Sequence, residues 1–512
     1  MCAICITLAT QRRAGFDYSG SMQRSAGSTS AHGEPVPRSS RVLEPFASKS
    51  ASGERWFIVL GLLAPFLAVF AVHSFSGGDF GGFDRWSECL WRGDGSLYGG
   101  GSDANYPVVG IFAGPGVVGT LRHLVHAHDP LVVPFRYYLA AVSGLVFLLM
   151  GALGRLMDSR RPWLLAFIVI AVPSSWAGGP VWCQIDGVTQ LFLFASLLAY
   201  GYAWRATGRG RLTPAIMWLA LGQMSCWLSI LTKQLSIFSV PWLFLCSLIA
   251  ALQLAARWRL RGAAAAALSF AATVGIAALI DRVLHVPDGF HGSSLAYIWL
   301  GGGSDHGSRI SNNGFNVWML LGRDMASSSL TPFARLHWND LCFELAPQAC
   351  GKVLFLLSSV VFFVLFLRNL GGWKRLRGML RGFREVELPA LLIDLCLAIG
   401  LQNLAANVWL TGTHERYMYH GYFFLLLACV RLWQRPRSLG VRTPAILIAC
   451  ASCYAGFVMA QISSLPSLLF PLRRHELMVA MHVFLFVMLL DIFRTLGRRL
   501  GFAPTVTRDA CG

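Results

Sequence analysis

Residues 388–430 read LPALLIDLCLAIGLQNLAANVWLTGTHERYMYHGYFFLLLACV. Two apolar runs, 388–411 and 418–430, are joined by His414-Glu415-Arg416-Tyr417, with no polar loop to dilute the charge. Apolar runs of this kind read as membrane helices, and charge wedged between them is expensive to keep. It persists mainly where it faces a protein interior or a water-filled cavity, and there it marks a substrate path. The plainer alternative is an interfacial turn in which Glu415 and Arg416 pair with each other.

The pattern extends over the whole chain. Of 512 residues 55% are hydrophobic and 13% charged, and the mean hydropathy is +0.55. That leaves too little polar surface for a soluble protein. Twelve apolar runs predict about twelve helices: 56–73, 134–154, 163–178, 187–204, 214–232, 235–256, 262–283, 352–367, 388–411, 418–431, 444–462 and 477–493. The formal charge of +18 does not signal nucleic acid. Arginines cluster in the short connections instead (Arg155, Arg160, Arg161; Arg205, Arg209, Arg211; Arg257, Arg259, Arg261; Arg368 to Arg384; Arg431 to Arg442; Arg494 to Arg499), which marks the cytoplasmic face. Arg473 and Arg474 are exceptions. The fold expected is an all-α polytopic membrane domain over 51–500. Two long outer loops, 74–133 and 284–351, interrupt it; the first is too glycine-rich for one helix and suits short interfacial helices near 108–121. Residues 1–50 are rich in Ser, Gly, Arg and Pro and predict a disordered cytoplasmic segment without signal-peptide features; 501–512 form a cytoplasmic tail.

On this topology five polar segments emerge on the outer side. They are Asp79-Phe80-Gly81-Gly82-Phe83-Asp84-Arg85-Trp86 with Asn105-Tyr106-Pro107; Gln184-Ile185-Asp186; Lys233-Gln234; Asn312-Asn313-Gly314-Phe315-Asn316-Val317-Trp318; and His414 to Tyr417. Each has a plain reading by itself: Lys233 can snorkel to the interface, and the Asn312 segment can be a turn before an interfacial Trp. Five together, on one side, point to a shared outward-facing cavity.

Phosphate-binding glycine loops, nucleophile elbows and zinc spacings are absent. His123, His126, His128 and Asp129 read as an interfacial loop rather than a metal site, and Cys450-x-x-Cys453 lies inside an apolar run with no second pair. Cys342 and Cys350 share the second outer loop, where an oxidising compartment would allow a disulfide. What remains is carboxylate beside Lys, Arg and His. Arg forks and Lys point charges suit a lipid-linked phosphate, and a carboxylate can take the proton of an attacking hydroxyl.

In order, Asp79-x3-Phe83-x2-Trp86, Asn105-Tyr106-Pro107, Gln184-x-Asp186, Lys233-Gln234, Asn312-x3-Asn316-x-Trp318 and His414 to Tyr417 resemble the GT-C integral-membrane glycosyltransferases, nearest the Gpi18-like and DUF2029-type mannosyltransferase group. The resemblance spans about 56–430. It implies transfer of one hexose, mannose first, with inversion, from a polyprenyl-phosphate donor to a lipid-linked glycan, polysaccharide or protein. Asp79 would be the general base, with Asp84 in reserve. Lys233, His414 and Arg416 would bind the donor phosphate. Trp86, Tyr106, Gln184, Asp186, Asn312, Asn316, Trp318, Glu415 and Tyr417 would shape the sugar and acceptor pocket. No cofactor is implied; a divalent metal is compatible, but no residue pattern calls for one. The chain departs from its relatives at Val108 and His420, where they often carry proline. A transporter or flippase of lipid-linked sugars is the competing class, since it too needs a polar cavity among many helices. The preference for Arg over Lys fits a GC-rich genome and so a bacterial plasma membrane, with the site on the extracytoplasmic side.

Overall fold

Every one of the twelve apolar runs is helical, as a backbone that must satisfy its own polar groups in hydrocarbon requires. The structure, a computed structural model, describes residues 51–72, 80–92, 106–125, 131–283, 293–297, 309–312, 314–321, 327–338, 341–372, 377–378, 387–414, 417–434, 442–462 and 475–499. These all belong to one unit, Ser50–Gly512. The readings for 1–50, Asp79, Asn105, His126, His128, Asp129, Glu415, Arg416, Arg473, Arg474, 501–512 and the side chains of Asn312 and Cys342 fall outside the described residues.

Among the described residues, eight helices are long and apolar enough to cross a membrane, and nine if the bent pair Pro162–Ala171 and Ser174–Val181 is one span. Three further runs complete the expected set. Asp186–Gly208 carries Asp186, Thr189 and Gln190 in its first turns, and Met418–Trp433 has 16 residues. The third is hidden inside Val240–Val283, which has 44 residues. A straight helix of that length would reach about 66 Å, twice the roughly 30 Å hydrocarbon core. It does not run straight: Arg259, at φ 52° and ψ −130°, breaks it. Its halves lie side by side. Gln223 donates to Ser247 Oγ at 2.9 Å and accepts from Ser269 Oγ at 2.7 Å, while Phe244 and Phe270 pack with ring centroids 6.4 Å apart. The run is therefore a hairpin of two spans.

Leu388–Trp409, where the sequence reading began, is the central helix. Its apolar window is 94% buried within the protein, against 17% for Pro347–Asn369 and 22% for Val240–Val283. A helix apolar on all sides belongs in an interior. Its few polar side chains tie it to its neighbours: Asn403 donates to Ser239 Oγ at 3.0 Å, Gln402 to Ser359 Oγ at 2.6 Å, and Asp394 accepts from Asn369 at 3.0 Å.

The arginine-bearing helix ends meet one another. Arg431 donates to the carbonyl oxygens of Met157 and Asp158 at 2.9 and 2.6 Å, and Arg257 to that of Gly208 at 3.3 Å. In the first loop, Phe80–Arg92 is amphipathic: Phe83, Trp86 and Ser87 turn inward at three- and four-residue spacing, and Arg85 and Trp91 turn out. Two more short helices follow, Val108–Ile111 and Val117–Val125, joined by a π-helical turn at Phe112–Gly116.

Candidate functional site

Two helices break where the polar segments lie. Leu212–Thr232 ends at Lys233, which is extended (φ −156°, ψ 134°), and a 3-10 turn, Gln234–Phe238, follows before the next span. The Pro162–Ala171 helix bends by 79° into Ser174–Val181, whose last turn is π-helical around Pro180. The chain then passes through Cys183, a fully buried residue in the left-handed region at φ 64°, and starts a new helix at Asp186. Such strained backbone is held only where its surroundings fix it, and it clusters at functional sites.

The breaks bring three predicted segments together. Lys233 Nζ donates to Asp186 Oδ2 at 2.9 Å and to Gln184 Oε1 at 3.2 Å. Tyr106 OH donates to the same Gln184 oxygen at 3.0 Å, and Nζ lies 5.1 Å from the Tyr106 ring centroid. Lys233 and Asp186 are 3% and 0% exposed. Lys233 does not snorkel to a surface; its charge is neutralised inside the bundle. Asp186 gains further from its place in the first turn of a helix, where the dipole favours negative charge.

Gly110 explains how the first loop reaches this point. A Cβ there would collide with the carbonyl oxygen of Thr232, the residue before Lys233, so the backbone of Val108–Ile111 lies directly on the helix end. Tyr106 is thereby set beside Nζ. Behind it the Phe83 ring is tilted and the Trp86 ring edge-on to Tyr106, each with centroids 5.7 Å away, and Phe135 stands 5.7 Å from Phe83. Trp86 is part of this wall, whereas Asp84 is not: it pairs with Arg122 of the neighbouring short helix, as Glu88 does at 3.0 Å.

The fourth and fifth segments also meet. Ser311 and Asn312 pair in a short parallel ladder with Thr413 and His414. Asn407, near the end of the central helix, accepts from the Phe315 amide at 2.9 Å and donates to the His414 carbonyl at 3.0 Å. Asn316 and Trp318 face backbone: Asn316 donates to Ile310 O at 2.8 Å and Trp318 to Trp409 O at 2.7 Å. They fasten the loop to the bundle. Tyr417 packs on His414 with rings 5.5 Å apart and immediately precedes Met418–Trp433.

No family model matches the chain, and no curated protein matches it. It is similar to a crystal structure of ArnT from Cupriavidus metallidurans bound to undecaprenyl phosphate. The identity is 12% and the TM-score 0.40, over 88% of this chain and 78% of that one. A likeness at that level gives this chain no activity.

Two site residues lie inside apolar runs. His420, noted in the sequence only as a departure from relatives, is fully buried, and its Nε2 lies 3.3 Å from Asp186 Oδ1 without hydrogen-bond alignment. Its Nδ1 is 2.8 Å from Gln190 Oε1, one helical turn beyond Asp186. Gln190 Nε2 is buried without a partner. With the amide turned so that Nε2 donates to Nδ1, the imidazole Nε2–H is left for Asp186, and Gln190 Nε2 finds its partner. Only the spacing Asp186-x3-Gln190 hinted at this. Arg136, in another apolar run, is also fully buried and donates to Val72 O at 3.5 Å. Elsewhere Cys350 is a free thiol, and no group of three or more His, Cys, Asp or Glu gathers for a metal among the described residues.

Proposed function

We propose that the chain is a membrane-embedded glycosyltransferase moving one hexose, mannose as first choice, from a polyprenyl-phosphate donor to a glycan, polysaccharide or protein acceptor on the extracytoplasmic side. The observation that carries this reading is a cation and a carboxylate fully buried together where two helices break, beside an aromatic wall. An apolar cavity of about 1210 Å³ supports a lipid-linked ligand. It begins at Ile237 and Phe238, four residues after Lys233, and runs between the two halves of the hairpin and Pro347–Asn369 along Trp242, Phe270 and Phe363. An isoprenoid tail suits that groove, and a phosphate suits a lysine such as Lys233.

Lys233, His414 and Arg416 hold the phosphate and take up its charge as it leaves. Asp186 and Gln184 fix Lys233, and Tyr106 and Trp86 face the sugar. Asp79, the residue before the Phe80–Arg92 helix, takes the proton of the acceptor hydroxyl. That oxygen bonds to the anomeric carbon from the face opposite the phosphate, and the carbon–phosphate-oxygen bond breaks with its electron pair going to phosphate. Configuration inverts.

Broken helices are also the hallmark of transporters, so a flippase of the same lipid is the second reading. Purified protein given a polyprenyl-phosphate hexose and a glycan acceptor separates them. Transfer by the wild type, abolished in Asp79→Asn, supports the enzyme and its base. Movement of intact lipid across the bilayer without transfer supports the flippase.

A further inference from the structure

We propose that His420 is a positioning residue for Lys233, acting through Asp186. The inference rests on the reading that Lys233 holds the donor phosphate. A carboxylate has two oxygens, and a lone lysine beside it would draw on both. Here they are divided: Lys233 lies on Oδ2 at 2.9 Å, and the imidazole of His420 lies on Oδ1 at 3.3 Å. The imidazole is itself held, 2.8 Å from Gln190, which sits one turn along the helix that Asp186 begins. Asp186 and Gln190 belong to one helix, and His420, on Met418–Trp433, stands against both, which favours one orientation of the carboxylate. On the far side Gln184, pinned by Tyr106, holds the same ammonium. Lys233 is fixed between two polar chains, each anchored in a different part of the fold.

Position in the chain strengthens the assignment. His420 lies in the first turn of Met418–Trp433, directly after the His414 to Tyr417 segment. All four side chains, Lys233, Asp186, His420 and Gln190, are within about 3% of full burial, so water offers none of them a substitute partner.

Chemistry separates positioning from packing. In His420→Gln the amide reaches as far as Nε2 and can serve Asp186; in His420→Asn it reaches only as far as Nδ1 and serves Gln190 alone. Full-length protein in nanodiscs is titrated with undecaprenyl phosphate and, separately, with undecaprenol. The ratio of the two affinities reports phosphate recognition independently of the apolar groove. In the wild type the phosphate should be preferred. His420→Asn should lose about tenfold of that preference, within the cost of leaving a buried polar partner unsatisfied. His420→Gln should stay within about threefold of wild type, and Gln190→Leu should lose about threefold.

An unchanged preference in His420→Asn overturns the inference, as does an equal loss in His420→Asn and His420→Gln, which would make His420 a packing residue. If His420→Asn does not fold, Gln190→Leu decides, and an unchanged preference there overturns it. A wild type that binds both lipids equally removes the phosphate reading of Lys233 instead, and this inference with it.

Discussion

Lys233 Nζ and Asp186 Oδ2 stand 2.9 Å apart, with both side chains shut off from solvent. Two ions taken out of water repay the cost only with further polar partners; Gln184 accepts a second bond from the ammonium, and the His420 imidazole lies 3.3 Å from the other carboxylate oxygen. Removing one partner strands the other. Asp186→Ala is expected to destabilise by about 3–5 kcal/mol, read from unfolding in detergent. Combining Lys233→Met with Asp186→Leu should restore most of that stability while leaving the protein without transfer activity. A double variant as unstable as the single one would show that the pair is not the cause.

Gly110 tests the backbone contact that sets Tyr106 beside Lys233. Gly110→Ala should cost about 1–3 kcal/mol, because the colliding atom is a backbone oxygen that cannot rotate away. Gly275→Ala is the control: nothing lies within 4 Å of its Cβ position, and an alanine in a helix interior should add about 0.5–1 kcal/mol. Thermal midpoints that move in the same direction for both would contradict the close approach.

Much of this could be read in the sequence. All twelve apolar runs are helices, and Tyr106, Gln184, Asp186 and Lys233, drawn from separate segments, meet at one point. The Asn312 and His414 segments meet as well. What stayed hidden depends on contact between helices. His420 and Gln190 sit in apolar runs where one polar residue reads as incidental, and only the docking of two helices gives them each other. The same holds for Asn407, which looks like any interior amide until Phe315 and His414 are brought to it.

Asn407→Ala removes the bonds that tie Phe315 and His414 to the central helix, leaving the Trp318 bond to Trp409 O in place. The buried Phe315 N–H then lacks its acceptor, at a cost of about 1–3 kcal/mol. Trypsin cleavage after the exposed Arg309 should become several-fold faster, since local opening takes up the loss. Cleavage at the wild-type rate would show that the loop is held by other means.

Arg259 bears on the hairpin. Its left-handed conformation is costly for any side chain and natural for glycine. Arg259→Gly should raise stability by about 1 kcal/mol, measured as a higher unfolding midpoint. A lowered midpoint would argue against a reversal at this residue.

The central claim is that the buried cation serves cleavage of a lipid-linked sugar phosphate. The direct measurement is release of polyprenyl phosphate from polyprenyl-phosphate mannose by purified protein in proteoliposomes, wild type against Lys233→Met, with a glycan acceptor present. Release by the wild type, reduced by at least about 100-fold in Lys233→Met, is the result expected from loss of a charge that stabilises the leaving group. Equal release by both proteins would contradict the account.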